Sequence, residues 1–389
     1  MWQLGSDSDQ PEWRVVEEVP ISDTIYDVAQ TKEGPYAIAS DGTMIANRDQ
    51  DDQWNVVFDD GPATRNNRLK AMDVTDDGAR LWFLGSSGAL GCYDVKERRK
   101  YDYSFPKEMT STWEGIAVSG KAGSEKALAA NGSGEVMPFA IDGFDVDWGV
   151  ARKPGGGKYS GSGANISALA AGPDGIGYAV NTSGAAFRTT KEEGWEQIGI
   201  VNAQVNFYDI YAGPQGRVYV AAGDGRLYRY DDSYHSWTPI GVAKGALRAV
   251  DIFQDKIVAL GAGGNIYQRT MGGQRWEKIH TPTSATLYDM VLGYPDVAVG
   301  KGGTIMVRPR GQTRHSGKSK DGDNYEGRGE LWDGTDDDEN QSSGGSSSGD
   351  STSGDSTSGD STSGDSTSGD STSGDSTSGD STSGDSTSS

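Results

Sequence analysis

The chain has 389 residues, with 57 acidic against 35 basic side chains and a formal net charge of −22. A negative charge of this size disfavours nucleic acid and anionic membrane surfaces as partners. The single cysteine excludes an intramolecular disulfide framework, and no apolar run approaches the length of a membrane span.

The N-terminus supplies no targeting signal that we recognise. Met1 to Leu4 lead directly into Gly, Ser and Asp residues, without a basic region or an apolar core. We therefore expect no signal peptide, which leaves the compartment open between the cytoplasm and a virus particle. Residues 1–12 are interpreted as an N-terminal arm.

One short signature recurs seven times along 13–310: a small or acidic residue, Gly, any residue, and an apolar residue. The turn glycines are Gly42, Gly88, Gly134, Gly184, Gly225, Gly264 and Gly303. A period near forty residues between short β-type segments is typical of propeller blades. Glycine suits such turns because it adopts positive φ at no steric cost. The sequence thus predicts an all-β, seven-bladed β-propeller over 13–310.

A tryptophan follows the turn glycine in five repeats and is predicted to head an outer strand: Trp54, Trp148, Trp195, Trp237 and Trp276. Tyr101 or Tyr103 takes this place in the second repeat, whereas the seventh repeat ends at Arg310 without such a strand. The missing pattern occurs at Trp13-Arg14-Val15-Val16. We therefore expect the N-terminal strand to close the last blade and remove an exposed sheet edge.

These repeats resemble the BNR or Asp-box propellers, and especially the non-catalytic branch similar to photosystem II stability factors. The segments 299–305 and 272–276, which contain Gly-Gly-Thr-Ile and Gly-Gly-Gln-Arg-Trp, carry the resemblance. The Asp-box itself is degenerate, because 48–54, 189–195 and 229–237 keep the tryptophan but not the full box. The resemblance implies the fold, and transfers no specific role.

No catalytic constellation is found. Sialidases share this fold class, but the arginines here are scattered and their early Arg-Ile-Pro segment is missing. His235, His280 and His315 do not pair at ligand spacing and Cys92 stands alone, so we expect no metal and no cofactor. The protein is interpreted as not being an enzyme.

A recurring carboxylate lies 13 to 16 residues before the turn glycine in five repeats: Asp27, Asp73, Asp209, Asp251 and Asp289. This register predicts a place on the innermost strand, beside the central channel. The ring has two interpretations, a cation site or a set of acceptors for local backbone hydrogen bonds. We favour the second, because short polar side chains commonly serve the backbone in this way.

The connection 142–165, between blades three and four, is predicted to be an unusually long loop. Long loops are usually functional or disordered, so this one has two interpretations, a partner contact or an idle insertion. It is locally basic and aromatic in an acidic body. Its candidate binding residues are Arg152, Lys153, Lys158 and Tyr159.

The C-terminal region divides into an acidic linker over 311–341 and a tail over 342–389. From Ser342 the chain contains only Ser, Thr, Gly and Asp, with eight aspartates at steps of five. Such a segment has no apolar surface to bury, so we expect a disordered, extended tail.

The function is inferred mainly by excluding the classes considered above. The leading hypothesis is a non-enzymatic recognition propeller that binds a protein or glycan through one loop face. The acidity has two interpretations, adaptation to high salt or an ordinary acidic surface with an acidic tail. We favour high salt, and with it a haloarchaeal or haloarchaeal-virus source, since carboxylate repulsion is screened to about 3 Å in molar salt. The alternatives are a host-recognition spike subunit of a halophilic virus and, disfavoured, a divergent sialidase-like glycosidase.

Deleting 342–389 should leave the melting temperature unchanged, because residues without apolar side chains contribute no buried surface. Differential scanning calorimetry of the full and shortened chains tests this. A loss of several degrees would show that the tail packs on the body.

Overall fold

The structure is a computed structural model that describes residues 12–48, 53–155, 165–173, 175–190, 194–200, 203–214 and 216–310. These residues form seven four-stranded antiparallel sheets, so the seven-bladed propeller is confirmed. Within these ranges no helix has the length and apolar character that a membrane-spanning segment requires. The linker and tail, and all but the last residue of the N-terminal arm, lie outside the described residues.

Each blade contributes four strands from the centre outward. The innermost strands are β2 (Ile25–Thr31), β6 (Leu69–Val74), β10 (Trp113–Ser119), β14 (Ile166–Ala171), β18 (Phe207–Gly213), β22 (Leu247–Phe253) and β26 (Leu287–Val291). The second strands are β3 (Gly34–Ala39), β7 (Arg80–Gly85), β11 (Lys126–Asn131), β15 (Gly177–Asn181), β19 (Arg217–Ala222), β23 (Lys256–Gly261) and β27 (Asp296–Gly300).

The remaining strands complete the sheets. The third strands are β4 (Met44–Ala46), β8 (Leu90–Asp94), β12 (Val136–Asp142), β16 (Ala186–Thr190), β20 (Arg226–Asp231), β24 (Ile266–Thr270) and β28 (Ile305–Arg308). The outer strands are β5 (Asn55–Phe58), β9 (Arg99–Asp102), β13 (Asp145–Trp148), β17 (Gly194–Gly199), β21 (Ser236–Gly241), β25 (Glu277–Ile279) and, for blade seven, β1 (Arg14–Val15). Single 3-10 turns occur at Ser86–Gly88, Pro106–Glu108, Ala262–Gly264 and Lys301–Gly303.

The turns between second and third strands contain the recurring glycines. All seven turn glycines have positive φ, between 69° and 94°. At Gly303 a Cβ atom would also lie 2.3 Å from the carbonyl oxygen of Ile21, so a side chain there would meet backbone. The repeat on which the fold prediction depends is therefore a requirement of backbone conformation.

The core consists of seven apolar clusters, one at each interface between neighbouring blades. The innermost strands also contact one another in sequence, and β26 contacts β2 to complete the ring. Each blade is thus covered on both faces by its neighbours.

The closing strand β1 pairs antiparallel with β28, where Arg14 faces Val307 and Val15 faces Met306. Trp13 is buried in the cluster between blades six and seven, under the Arg308 guanidinium at 5.0 Å from the ring centroid. Val16 is buried in the next cluster, between blades seven and one. The predicted N-terminal closure is therefore confirmed, and this short segment secures two interfaces.

Two details of the predicted elements are wrong. Trp148 ends the outer strand of blade three instead of heading it, because it lies opposite Phe139 and packs 4.9 Å from that ring. The predicted loop 142–165 contains β13, so the connection between blades begins only after Trp148. The sequence did not predict this short strand, because every second residue in it is an exposed acidic residue.

Deleting residues 1–19 should destabilise the whole domain, since it removes β1 together with Trp13 and Val16 and exposes the β28 edge. Deleting residues 1–11 is the matched control and should leave the melting temperature close to that of the full chain. Calorimetry and size-exclusion chromatography measure both effects. A monomeric 1–19 deletion with unchanged stability would contradict the closure.

Candidate functional site

A β-bulge shapes the start of every innermost strand. In all seven blades the register with the second strand shifts between the first and third residues of the innermost strand. The extra residue turns two consecutive side chains toward the same side. In blade one these are Tyr26 and Asp27, which are both half-buried.

The recurring aspartates lie on five of these strands and occupy two positions. Asp27, Asp209 and Asp289 are the third residue of their strands, directly after the bulge residue. Asp73 and Asp251 are the fifth residue of theirs. All five are half-buried.

Each aspartate bridges to the next blade. At the third position, Asp27 accepts from the Met72 N–H at 2.8 Å, Asp209 from Val250 at 2.8 Å and Asp289 from Val28 at 3.0 Å. At the fifth position, Asp73 accepts from Val118 at 2.7 Å and Asp251 from Leu292 at 2.7 Å. Four of these donors lie on innermost strands and Leu292 directly follows β26. The innermost strands end their sheets, so the bridges satisfy N–H groups at a sheet edge.

The second carboxylate oxygen also has a backbone partner in three cases. Asp73, Asp209 and Asp251 each accept from the N–H of the following residue at 2.7–2.8 Å. The sequence interpretation expected local backbone bonds. The structure adds a long-range bond to the neighbouring blade at every one of the five.

Burial governs the protonation of this ring. Burial raises the pKa of Asp27 to about 6 and the pKa values of Asp209 and Asp251 to about 7. Burial, with the adjoining Asp27 carboxyl, holds the pKa of Asp289 well above its ordinary value. The two adjoining carboxyls act on each other, so that Asp289 lowers the pKa of Asp27 while Asp27 raises the pKa of Asp289.

Among the described residues, no aspartate of this kind bridges the seam between blades three and four or the seam between blades four and five. Blades three and four carry Gly115 and Ala117, and Ala168 and Ala170, at the positions that hold aspartate elsewhere. A Cβ on Gly115 would lie 3.7 Å from the Ala168 Cα, so the two innermost strands pack nearly backbone to backbone there. Close packing replaces the side-chain bridge at this seam.

The second residue of each innermost strand is the extra residue of the bulge. These seven bulge residues form a second feature, which we name the collar. Its members are Tyr26, Lys70, Glu114, Ser167, Tyr208, Arg248 and Tyr288, all half-buried. Tyr26 and Tyr288 lie 5.5 Å apart between ring centroids, and the Lys70 ammonium lies 5.5 Å from the Tyr26 ring and 3.1 Å from the Glu114 carboxylate. The Arg248 guanidinium stacks on Tyr208 at 4.5 Å. The collar was not recognised from the sequence, although the recurring Tyr-Asp pairs were a signal for it.

The collar opens on one face of the propeller, which we name the entrance face. This face carries the glycine turns and the connections from each outer strand to the next innermost strand. Backbone hydrogen bonds join the two sets of segments, as between Gly61 and Gly42 at 3.0 Å and between Val242 and Gly225 at 3.1 Å. Since every innermost strand starts from such a connection, its second residue lies at this face.

The described part of the candidate loop, 149–155, begins on the same face, because it follows the outer strand β13. Arg152 and Lys153 are exposed, and the Arg152 backbone forms a two-bond bridge with Val136 at 2.8 and 2.9 Å. Val150 is 63% exposed and lines a small pocket with Arg152 and Trp195. Lys158 and Tyr159 lie outside the described residues.

Histidine and metal chemistry find little support in the described ranges. His235 lies between the third and outer strands of blade five, with Nδ1 3.3 Å from the Tyr230 hydroxyl. His280 is exposed beyond β25. No group of three or more His, Cys, Asp or Glu residues in this part of the chain is placed to hold a metal ion.

Solved structures show similarity to this chain, whereas no protein-family model and no curated protein matches it. YCF48 bound to D1 peptide is 14% identical, with a TM-score of 0.62 over 78% of this chain and 97% of that one. Virginiamycin B lyase from Staphylococcus aureus is 13% identical, with a TM-score of 0.62 over 77% of this chain and 100% of that one. The RRP9 WD40 repeats are 13% identical, with a TM-score of 0.58 over 77% and 98%. At these identities the likeness shows the fold alone.

Replacing Asp209 by Ala should lower the free energy of unfolding by about 1–3 kcal/mol or more, because the N–H groups of Ile210 and Val250 lose their acceptor. The loss should be larger at pH 5 than at pH 8. The folded protein keeps a proton on Asp209 up to about pH 7, whereas an ordinary aspartate releases it near 3.8, so this contribution fades as the pH rises through 7.

Urea unfolding at the two pH values measures the effect. The exposed Asp255 is the matched control, and its Ala variant should be close to the unmodified chain at both pH values. An Asp209→Ala variant whose loss grows with pH would contradict the protonation of the ring.

Proposed function

We propose that this chain is a non-enzymatic recognition propeller that binds a protein partner through its entrance face. The observation that carries this proposal is the convergence of the collar and of the exposed Arg152 and Lys153 on that one face. Tyrosine and arginine are favoured anchors at protein interfaces. A ring of rigid sheets presents such groups with little loss of conformational entropy on binding.

The similar solved structures favour a protein as the partner of this chain. YCF48 is bound to a peptide in one of the similar structures, and WD40 repeats form another. The lyases among the similar structures are enzymes, so the fold does not decide between the two classes. The choice depends on the chemistry of the site.

The carboxylates of this chain favour the non-enzymatic role. Asp209 and Asp251 each use both oxygens to accept backbone N–H groups. A general acid or base has to present an oxygen to its substrate. The described histidines, His235 and His280, do not lie on innermost strands.

The high-salt environment and the source are proposed from the composition, and the Asp-box character is proposed from the sequence resemblance. The net charge of −22 supports a high-salt environment, and with it a haloarchaeal source or a place on a halophilic virus. The Asp-box character of the blades and a glycan as partner stay predictions.

Replacing Arg152, Lys153, Lys158 and Tyr159 together by Ser should weaken partner capture at least tenfold, or about 1.4 kcal/mol. Immobilised protein is exposed to extract in molar KCl, where nonspecific charge contacts are screened, and retained proteins are quantified by mass spectrometry. The melting temperature should not change, since Arg152 and Lys153 are exposed.

An arginine on the opposite face, Arg275, provides the control, and its Ser variant should capture the partner normally. Unchanged capture by the loop variant would remove the loop from the interface. Turnover of a sialoside or of quinupristin that disappears in an Asp209→Ala, Asp251→Ala double variant would overturn the non-enzymatic role.

A further inference from the structure

The collar carries one positive charge that no neighbour neutralises. Lys70 is paired with Glu114 at 3.1 Å. For Arg248, in contrast, no carboxylate within the described ranges lies at ion-pair distance, and its Nε is buried without a hydrogen-bond acceptor. A buried guanidinium nitrogen without a partner is unfavourable, and an incoming acceptor relieves this cost.

The aspartate ring beneath the collar does not supply that acceptor. The oxygens of Asp209 and Asp251 are already used by backbone N–H groups. The guanidinium is therefore left for a group that arrives from the entrance face.

Arg248 is also held in place before any partner binds. Its guanidinium stacks on the Tyr208 ring at 4.5 Å. The tyrosine in turn packs against the turn of its own blade, because a Cβ atom on Gly223 would lie 3.3 Å from the ring. A stacked, fixed guanidinium loses little freedom when it forms a forked bond with a carboxylate. Tyr288 and Tyr26 continue the aromatic surface on the next two blades.

We propose that the collar docks a short acidic peptide segment of a partner protein, whose Asp or Glu side chain pairs with Arg248 while adjacent apolar groups pack on Tyr208, Tyr26 and Tyr288. This inference rests on the proposed protein-binding function and names its site and the chemistry of its partner.

The entrance face also carries positive charge outside the collar. The connection that follows β13 contains the exposed Arg152 and Lys153. Positive groups at more than one place on this face favour a partner segment with several acidic residues over one with a single acidic residue.

The test selects short random peptides displayed on phage against the immobilised full chain. Selected peptides should be enriched in Asp and Glu, and fluorescence anisotropy should give a dissociation constant at least tenfold weaker for the Arg248→Gln and Tyr208→Ala variants. The matched controls are Arg275→Gln and Tyr234→Ala, exposed residues of the same two blades on the opposite face, which should bind as the unmodified chain does.

A second arm needs no protein variant: replacing the acidic residue of a selected peptide by its amide should weaken binding to the unmodified chain by the same factor. Enrichment in basic residues, no enrichment, or full binding by Arg248→Gln would overturn the acidic-peptide site. Partner capture is measured separately, with the variant of Arg152, Lys153, Lys158 and Tyr159. A negative result at the collar therefore leaves the wider protein-binding function to be judged by that experiment.

Discussion

A β-sheet that is apolar on both faces has to be covered on both sides, and this constraint organises the molecule. The second strands of the blades show it most clearly, since every residue of β3, β7, β15 and β27 is buried. A blade cannot satisfy this requirement alone, because its two faces are covered by two different neighbours. The seven interface clusters are therefore stable only as a closed ring. The N-terminal segment matters out of proportion to its length because Trp13 and Val16 enter two of those clusters.

The centre of the ring poses a second problem, since every innermost strand has one edge without a neighbouring strand. Exposed N–H groups on such an edge require acceptors. The aspartates supply them across five of the seven seams, and burial raises the pKa values of four of these carboxyls. Where Gly115 meets Ala168 the strands approach closely instead. The backbone hydrogen bonds of the five carboxylates give them an architectural role at the seams.

The bulge links this architecture to the proposed recognition site. In blades one, five and seven the bulge residue is a tyrosine, and the residue after it is the aspartate that bonds to the neighbouring blade. In blade five Asp209 bridges to blade six, and Tyr208 beside it supports Arg248 at the rim. The proposed contact groups are consequently mounted on the most constrained strands of the propeller, where their geometry is set before a partner arrives. The connection that carries Arg152 and Lys153 adds to the same face.

The sequence by itself determined the number of blades, the positions of their turns and the closing segment. These features are local, because a turn with positive φ requires glycine at Gly42 or Gly303 whatever surrounds it, and Trp13 repeats a pattern present in other blades. Only the tertiary structure decided what the recurring aspartates bind, since the Met72 and Val250 N–H groups that they meet belong to other blades. The collar was only hinted at, because the recurring Tyr-Asp pairs mark its three tyrosines, whereas all seven members share only a bulge, which is a property of strand pairing. A spacing of one repeat, such as the 45 residues between Asp27 and Met72, points to the next blade. It does not identify the N–H group that is bonded there, because that contact is set by how the blades pack.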